Sequence, residues 1–377
     1  MLTHLGEDEK IQGAVVPPIF QNSLFLYDKA EDLLKNLTDV HEGPPYVYSR
    51  AGNPTCRIVE QKLAALEGTE GCKVTGGGIS AITVALSSEL ESGAHAIIVD
   101  TAYGPTRTYL EFMSKYGVSH TLVEGSCVEE IADAIRPETR VVYLESPSSL
   151  LFRLQDIPEI TKIAREKKIT TMIDNTYNTP LHMNPKEFGV DIVLHTASKF
   201  LGGHSDINGG AICTDAKRIE KIVANELSHY AALLHPFSAW LMLRGMRTLS
   251  VRLKHHEKTG NDIAAWLDDR SEVAKVHHIS LPTFPQRDLY RKLMRGSTSL
   301  FSIEPKQQDP DRIMAFCNAL RLFGRGISWG GFESLVVPIE VTMTPSTEKR
   351  WIVRLYCGLE DVEDLRADLE NALLHLS

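Results

Sequence analysis

The sequence predicts an α/β protein built on a mostly parallel sheet, with a smaller C-terminal α/β domain after it. Two observations predict this. From Asn53 onward, short apolar runs alternate with helical patterns, as expected for parallel strands joined by covering helices. After about residue 246 the alternation gives way to a long helix, two strand-like runs and a final amphipathic helix. The length of 377 residues exceeds one small core and suits two packed domains with extensions.

The elements follow in order. Residues 1–52 read as an extended arm, with Pro17-Pro18, Pro44-Pro45 and a short helix near 29–37. The large domain spans 53–245. It opens at Asn53-Pro54-Thr55, a helix start, followed by Ile58, Val59, Leu63 and Leu66 at helical spacing and by Gly68 as a stop. Strands are expected over 94–100, 141–145, 170–174 and 191–196. A helix is expected over 156–168, with Pro158 in its first turn and Ile157, Ile160 and Ala164 on one face. The C-terminal domain, 246–377, shares a long and kinked helix over about 236–268. It continues with strands over 299–304 and 351–358, and a last helix with Val362, Leu365, Leu369, Ala372, Leu373 and Leu376 on one side.

Composition excludes several function classes. The formal charge of -9 argues against a general nucleic-acid partner, which needs clustered Lys and Arg. No run is apolar for long enough to span a bilayer, and the N-terminus lacks a basic region followed by an apolar run. The six cysteines are scattered, without CxxC pairs, and read as reduced thiols. A cytoplasmic location is the expectation. Fourteen histidines show no metal-binding spacing, so no metal is expected. His204-Ser205-Asp206 holds the elements of a hydrolytic triad, but three adjacent residues cannot form one relay. His255-His256 falls in a helix and reads as a solvated face.

Ligands of an open α/β sheet gather at the carboxyl ends of its strands. Four features are expected there: Glu145, Asp174, the run Thr196-Ala197-Ser198-Lys199, and residues 75–79. Lys199 follows a buried-looking strand, and an amine in apolar surroundings is a better nucleophile. By spacing alone it also reads as a surface lysine. Asp174 ends a strand and could face the crevice, or cap the turn at Asn175. Gly76-Gly77-Gly78-Ile79 opens a helix whose free N–H groups suit phosphate, though a plain structural turn reads equally well.

Taken together, the motifs resemble the Cys/Met-metabolism family of pyridoxal-phosphate enzymes, which includes cystathionine β- and γ-lyases, cystathionine γ-synthase and methionine γ-lyase. The motifs are YVYSRAGNPT (46–55), GGGISAI (76–82), TAYGPT (101–106), YLESPSS (143–149), MIDNTY (172–177), HTASKFLGGHSD (195–206), SWGGFESL (328–335) and VRLYCGLEDVEDL (353–365). Several look most like bacterial cystathionine β-lyase. The resemblance implies the aspartate-aminotransferase-like fold, fold type I, with pyridoxal 5'-phosphate as cofactor and an amino acid as substrate. It implies that Lys199 bears the cofactor and moves protons, that Asp174 pairs with the pyridinium, and that Tyr103 stacks on the ring and belongs to the catalytic set. It implies that the N–H groups of Gly78 and Ile79, with Ser198 and Thr196, hold the phosphate. Tyr48 and Arg50 match a pair that reaches the phosphate of a neighbouring subunit, so the arm implies a dimer, and family members are usually tetramers. Arg354, with Ser328 or Trp329 nearby, would clamp the substrate carboxylate, a task that suits a planar guanidinium.

Four positions depart from the family's patterns. Thr108 stands where β-lyases carry an acid for the distal amine of cystathionine, and Ile327 where many γ-enzymes carry Glu. Ser149 replaces the Asn of γ-enzymes, and Pro105 the Cys of methionine γ-lyases. An apolar wall cannot compensate an ammonium group. The implied activity is a carbon–sulfur β-lyase acting on cystathionine or another S-substituted cysteine. The alternative is γ-elimination or γ-replacement on a specialised amino acid.

Overall fold

Seven strands form the larger sheet of the computed structural model: β1 (Gly71–Thr75), β2 (His95–Val99), β3 (Ser119–Val123), β4 (Thr139–Glu145), β5 (Thr170–Asp174), β6 (Ile192–Thr196) and β7 (Gly210–Thr214). The structure describes residues 1–7, 10–37, 44–343 and 348–376. The strand order is β1-β7-β6-β5-β4-β2-β3, with β7 antiparallel to both neighbours and the other pairs parallel. The carboxyl ends of β1, β4, β5 and β6 therefore share one side of the sheet. A second sheet holds β8 (Val273–His277), β9 (Leu300–Pro305), β10 (Gly324–Arg325), β11 (Leu335–Met343) and β12 (Glu348–Tyr356), in the order β10-β11-β12-β9-β8. The fold is that of an α/β protein with a mostly parallel central sheet and a smaller second one, as expected.

Local chemistry accounts for the elements. Asn53 accepts the Thr55 N–H at 2.9 Å and Pro54 opens the helix Pro54–Glu67, which Gly68 ends. The helix Ile157–Glu166 starts after Asp156 with Pro158 in its first turn. The strands expected over 141–145, 170–174 and 191–196 lie at β4, β5 and β6, all buried in the main core. The sequence pattern overlooks β1, whose Lys73 is buried against Glu60 at 3.2 Å, and the half-exposed edge strand β3. The long helix breaks at Thr248 into Pro236–Arg247 and Leu249–Asp268. Leu249 and Leu253 of the second piece join the larger core, whereas Ile263, Ala264 and Leu267 join the smaller one. We propose the division near residue 246, where this shared helix passes from one core to the other.

One expectation is corrected here. His255 is exposed, but His256 is fully buried, its ring 5.3 Å from Phe200 and 5.5 Å from Tyr356. The inner face of the helix runs through Arg252, Leu253, His256, Thr259, Gly260 and Ile263, at i, i+3, i+4 spacing. That register turns the second histidine inward and leaves the first in solvent.

The arm lies against the large sheet's helices. Glu7 is buried and pairs with Lys62 at 3.0 Å and Arg247 at 2.6 Å, and Trp240 donates to the Pro17 carbonyl at 3.1 Å. The short helix expected near 29–37 is present as Ala30–Leu37. Among the described residues no helix is long and apolar enough to cross a membrane.

Candidate active site

Three strand ends set the floor of the site. Glu145 and Asp174 are register partners at the ends of β4 and β5, and Thr196 ends β6 beside Gly210. Thr75 ends β1 and also pairs with Gly210, which brings the following Gly-rich turn to the same edge. The four features expected to meet are thus gathered.

The helix Gly78–Glu89 begins without a side-chain cap, so its first N–H groups have no side-chain partner among the described residues. Gly78 is required by a close approach: a Cβ there would lie 2.0 Å from Thr196 Oγ1. The Thr196 hydroxyl accordingly sits at the helix start, while its backbone N–H donates to Thr176 Oγ1 at 2.7 Å. Ser198 Oγ accepts the Gly209 N–H at 3.0 Å and donates to the Gly209 carbonyl over a long 3.5 Å, a contact that a better acceptor would replace. Ile79 is partly exposed at the same turn.

Asp174 is buried. Its Oδ1 takes the Thr176 N–H at 2.9 Å and the Thr176 hydroxyl, so the turn-capping reading also holds for this oxygen. Oδ2 has no such partner among the described residues. Burial raises the Asp174 pKa, and the Thr176 hydrogen bonds oppose the rise. Glu145 is pushed up to about 8 by burial and then by the Asp174 charge, against the donors on it. Those donors are the Tyr103 N–H at 2.7 Å and the Ser149 hydroxyl at 2.6 Å. Tyr103 stands at the start of the helix Gly104–Met113 with its ring partly exposed.

Lys199 follows β6 in a turn closed by its N–H on the Thr196 carbonyl at 3.2 Å. Its Nζ donates to Ser328 Oγ at 2.6 Å and lies 5.4 Å from the Trp329 ring. Burial, then the charge of Arg354, lowers its pKa to about 8, with Asp174 and Glu333 opposing. Arg354 on β12 donates to the carbonyls of Ile327 and Ser328, and burial brings its pKa down to about 10. Gly330, at φ +89°, packs on the lysine backbone. A Cβ there would lie 2.7 Å from the Lys199 carbonyl carbon and the Phe200 nitrogen.

The structure thus brings together Lys199, Ser328, Trp329 and Arg354, and, along the sheet edge, Gly78, Thr196, Asp174, Tyr103 and Ser149. It does not bring Tyr48 and Arg50 to this cluster. They are exposed on the arm, the guanidinium 5.8 Å from its own tyrosine ring. Thr108 is exposed and bonds the Pro105 carbonyl at 3.1 Å, and Ile327 is 82% exposed. Sequence reasoning left Thr176 without a role. Its signal was the Asp-Asn-Thr run, in which a hydroxyl two residues on can bond the acid. Among the described residues no group of three or more His, Cys, Asp and Glu side chains forms a metal site.

The donor set fits a phosphorylated aldehyde with a basic ring nitrogen. Uncapped helix N–H groups and two hydroxyls suit the phosphate, a buried carboxylate suits the ring nitrogen, and an amine with a lowered pKa suits the aldehyde.

Comparison with known proteins agrees with this chemistry. The family described as Cys/Met metabolism PLP-dependent enzyme matches residues 1–374. A Rhizobium johnstonii protein provisionally named cystathionine beta-lyase is 35% identical, over 98% of this chain and 94% of its own. The L-methionine gamma-lyase of Porphyromonas gingivalis is 36% identical, over 98% of this chain and 95% of its own. The crystal structure of cystathionine gamma synthase from Xanthomonas oryzae pv. oryzae, in complex with aminoacrylate and cysteine, superposes with a TM-score of 0.90 at 30% identity. That match covers 100% of this chain and 97% of the other. The chain belongs to the Cys/Met-metabolism family of PLP-dependent enzymes: a lyase of fold type I whose cofactor is pyridoxal 5'-phosphate.

Proposed function

We propose that the protein is a carbon–sulfur β-lyase of the cystathionine β-lyase type, which cleaves cystathionine or another S-substituted cysteine to pyruvate, ammonia and a thiol. When bound, the cofactor supplies an electron sink for the charge left at the substrate Cα. The other roles fall to the chain. Lys199 holds the cofactor and then moves the Cα proton, a task suited to an amine brought down to about 8. Ser328, 2.6 Å from that amine, orients it. Asp174 keeps a proton on the ring nitrogen, and Tyr103 covers the ring. The N–H groups of Gly78 and Ile79, with the Ser198 and Thr196 hydroxyls, hold the phosphate. Arg354 pairs with the substrate carboxylate through its planar fork.

The observation that carries the β-reading is Ser149, bonded to Glu145 at 2.6 Å where the γ-enzymes carry Asn. An exposed Ile327 offers no charge to a distal amine and favours less polar S-substituents. The same apolar residue favours the second reading, γ-elimination or γ-replacement, which the methionine gamma-lyase relative also supports. Product analysis on cystathionine, cystine, S-methylcysteine and methionine separates them. Pyruvate is the expected 2-oxo acid, 2-oxobutanoate alone would establish γ-elimination, and no 2-oxo acid from the whole panel would remove both eliminations and leave γ-replacement, which regenerates an amino acid.

The same proposal includes a cytoplasmic dimer or tetramer in which Tyr48 and Arg50 of one copy reach the phosphate of another. Sedimentation gives the assembly. Restoration of turnover on mixing Arg50→Ala with Lys199→Ala subunits would support shared sites, and no restoration would oppose them.

A further inference from the structure

The polar groups buried beneath the strand ends include one carboxylate that the proposed chemistry does not use. Glu67 is the last residue of the helix Pro54–Glu67 and is fully buried. Its Oε1 accepts from Asn175 Nδ2 at 3.0 Å and faces His195 Nε2 at 2.6 Å. Facing a carboxylate oxygen, Nε2 carries the ring proton and donates it. Asn175 follows Asp174 directly, and His195 precedes Thr196 directly. The network extends to the third strand end. Asn178 Nδ2 donates to Asn175 Oδ1 at 3.1 Å and to the Ser146 carbonyl at 2.7 Å, next to Glu145. Asn175, Asn178 and His195 are all buried.

We propose that Glu67 is a positioning residue for the cofactor site. One carboxylate from a distant helix ties the strand end bearing Asp174 to the strand end bearing Thr196 and Lys199. The backbone bond from Asn175 N–H to the Leu194 carbonyl, 2.9 Å, joins β5 and β6 only up to that point. Beyond it the Thr176 hydroxyl, which accepts the Thr196 N–H at 2.7 Å, links the two ends on the site side, and Glu67 links them from below. Without it the buried His195 Nε2 loses its acceptor and Asn175 Nδ2 keeps only the Met183 carbonyl at 3.1 Å, so both turns can relax. The relaxation would separate the acid of the ring nitrogen from the amine of the aldehyde.

This inference rests on the roles proposed above for Asp174 and Lys199. The test uses the holoenzyme of the wild type, Glu67→Ala, Glu67→Gln and His195→Ala. Measurements are the visible absorption of the bound cofactor against pH, cofactor retention on dialysis, kcat and KM for pyruvate release, and thermal melting. Displacement of reacting groups by a fraction of an ångström to one ångström costs up to about a hundredfold. Glu67→Ala is expected to weaken cofactor retention about tenfold or more, move the midpoint of the absorbance titration, and lower kcat with KM nearly unchanged. Glu67→Gln keeps an acceptor oxygen in place and is expected to restore most of the retention and kcat. His195→Ala cuts the link from the other side and carries the same expectation as Glu67→Ala, should that variant not fold. A Glu67→Ala enzyme that melts lower but keeps the wild-type titration, retention and kcat overturns the proposal. If the wild type itself shows no visible absorbance that borohydride bleaches, the reading of Lys199 fails instead.

Discussion

The reactivity of Lys199 gives the sharpest test of the site. Its surroundings lower its pKa from the ordinary 10.5 to about 8, burial being the larger cause and the Arg354 charge the next. Each unit is a factor of ten in the acid dissociation equilibrium, so at pH 7 the neutral amine fraction is raised about 300-fold. The sign follows from the charge. Burial and a neighbouring cation both penalise the ammonium form, so the free amine appears at lower pH. The perturbation is pH, applied to apoenzyme mixed with pyridoxal phosphate. Covalent capture is followed by stopped-flow absorbance and fixed with borohydride, with the label located at Lys199 by peptide mass. A free lysine derivative, run in parallel, cancels the titration of the aldehyde itself. With the aldehyde's titration divided out, capture is expected to rise about tenfold per unit below pH 7 and to level off above about 8, so that its ratio to the free derivative holds at about 300-fold below pH 7 and falls about tenfold per unit above 8. Arg354→Gln removes one of the two lowering causes and moves the plateau to higher pH. A rate that climbs through pH 10 in parallel with the free amine would refute the buried, cation-flanked lysine described here.

Three further outcomes are expected. Gly78→Ala places a Cβ 2.0 Å from Thr196 Oγ1, so the helix start must move, and the cofactor dissociation constant should rise about tenfold or more in equilibrium dialysis. An unchanged constant would take the phosphate away from this turn. Arg354→Lys replaces a two-bond fork by a point charge; losing one charged hydrogen bond should raise KM by about ten- to a hundredfold with a smaller change in kcat. Burial pushes His256 down to about 3, so below the ordinary 6.5 the unfolded chain takes up a proton that the folded one refuses. Stability is therefore expected to fall as pH drops from 6.5 toward 3. In urea titrations, His256→Leu should remove about 1.4 kcal/mol per pH unit of that slope.

Much of this was legible in the sequence where local chemistry decides the outcome. Asn53 and Pro54 start a helix by capping and fixed φ, and the apolar runs at β4, β5 and β6 are buried on both faces, as parallel strands require. The strand ends then carry Glu145, Asp174 and Thr196 by simple counting along each run. What was not legible depends on contacts far apart in the chain. Lys73 makes β1 look polar, and only the packed helix above it supplies Glu60. His256 is turned inward by helix register, a matter of one residue's rotation that a pair of adjacent histidines cannot reveal. Glu67 lies 108 residues from Asn175 and 128 from His195, and no local pattern links them. Tyr48 and Arg50 remain outside the cluster because one chain alone leaves them on the exposed arm.

The two sheets divide the labour in a way that separates cofactor from substrate. Every group proposed to hold the cofactor within one chain stands on or beside the larger sheet: the turn at Gly78, Tyr103, Asp174, Thr196, Ser198 and Lys199. Most of the groups proposed for the substrate come from the smaller sheet, Ser328 and Trp329 from the segment before β11 and Arg354 from β12. The two sets meet at Lys199, through its bond to Ser328 and through Gly330, which packs on the lysine backbone. A shift of the smaller sheet relative to the larger would therefore move the carboxylate clamp while the phosphate turn and Asp174 stay in place. Substitutions at Ile327 should accordingly redirect substrate choice and KM with cofactor affinity intact, whereas those around Gly78 should do the reverse. On this division, Ile327 is the position at which a change of substrate is physically cheapest, because it is exposed and holds Arg354 only through its backbone carbonyl.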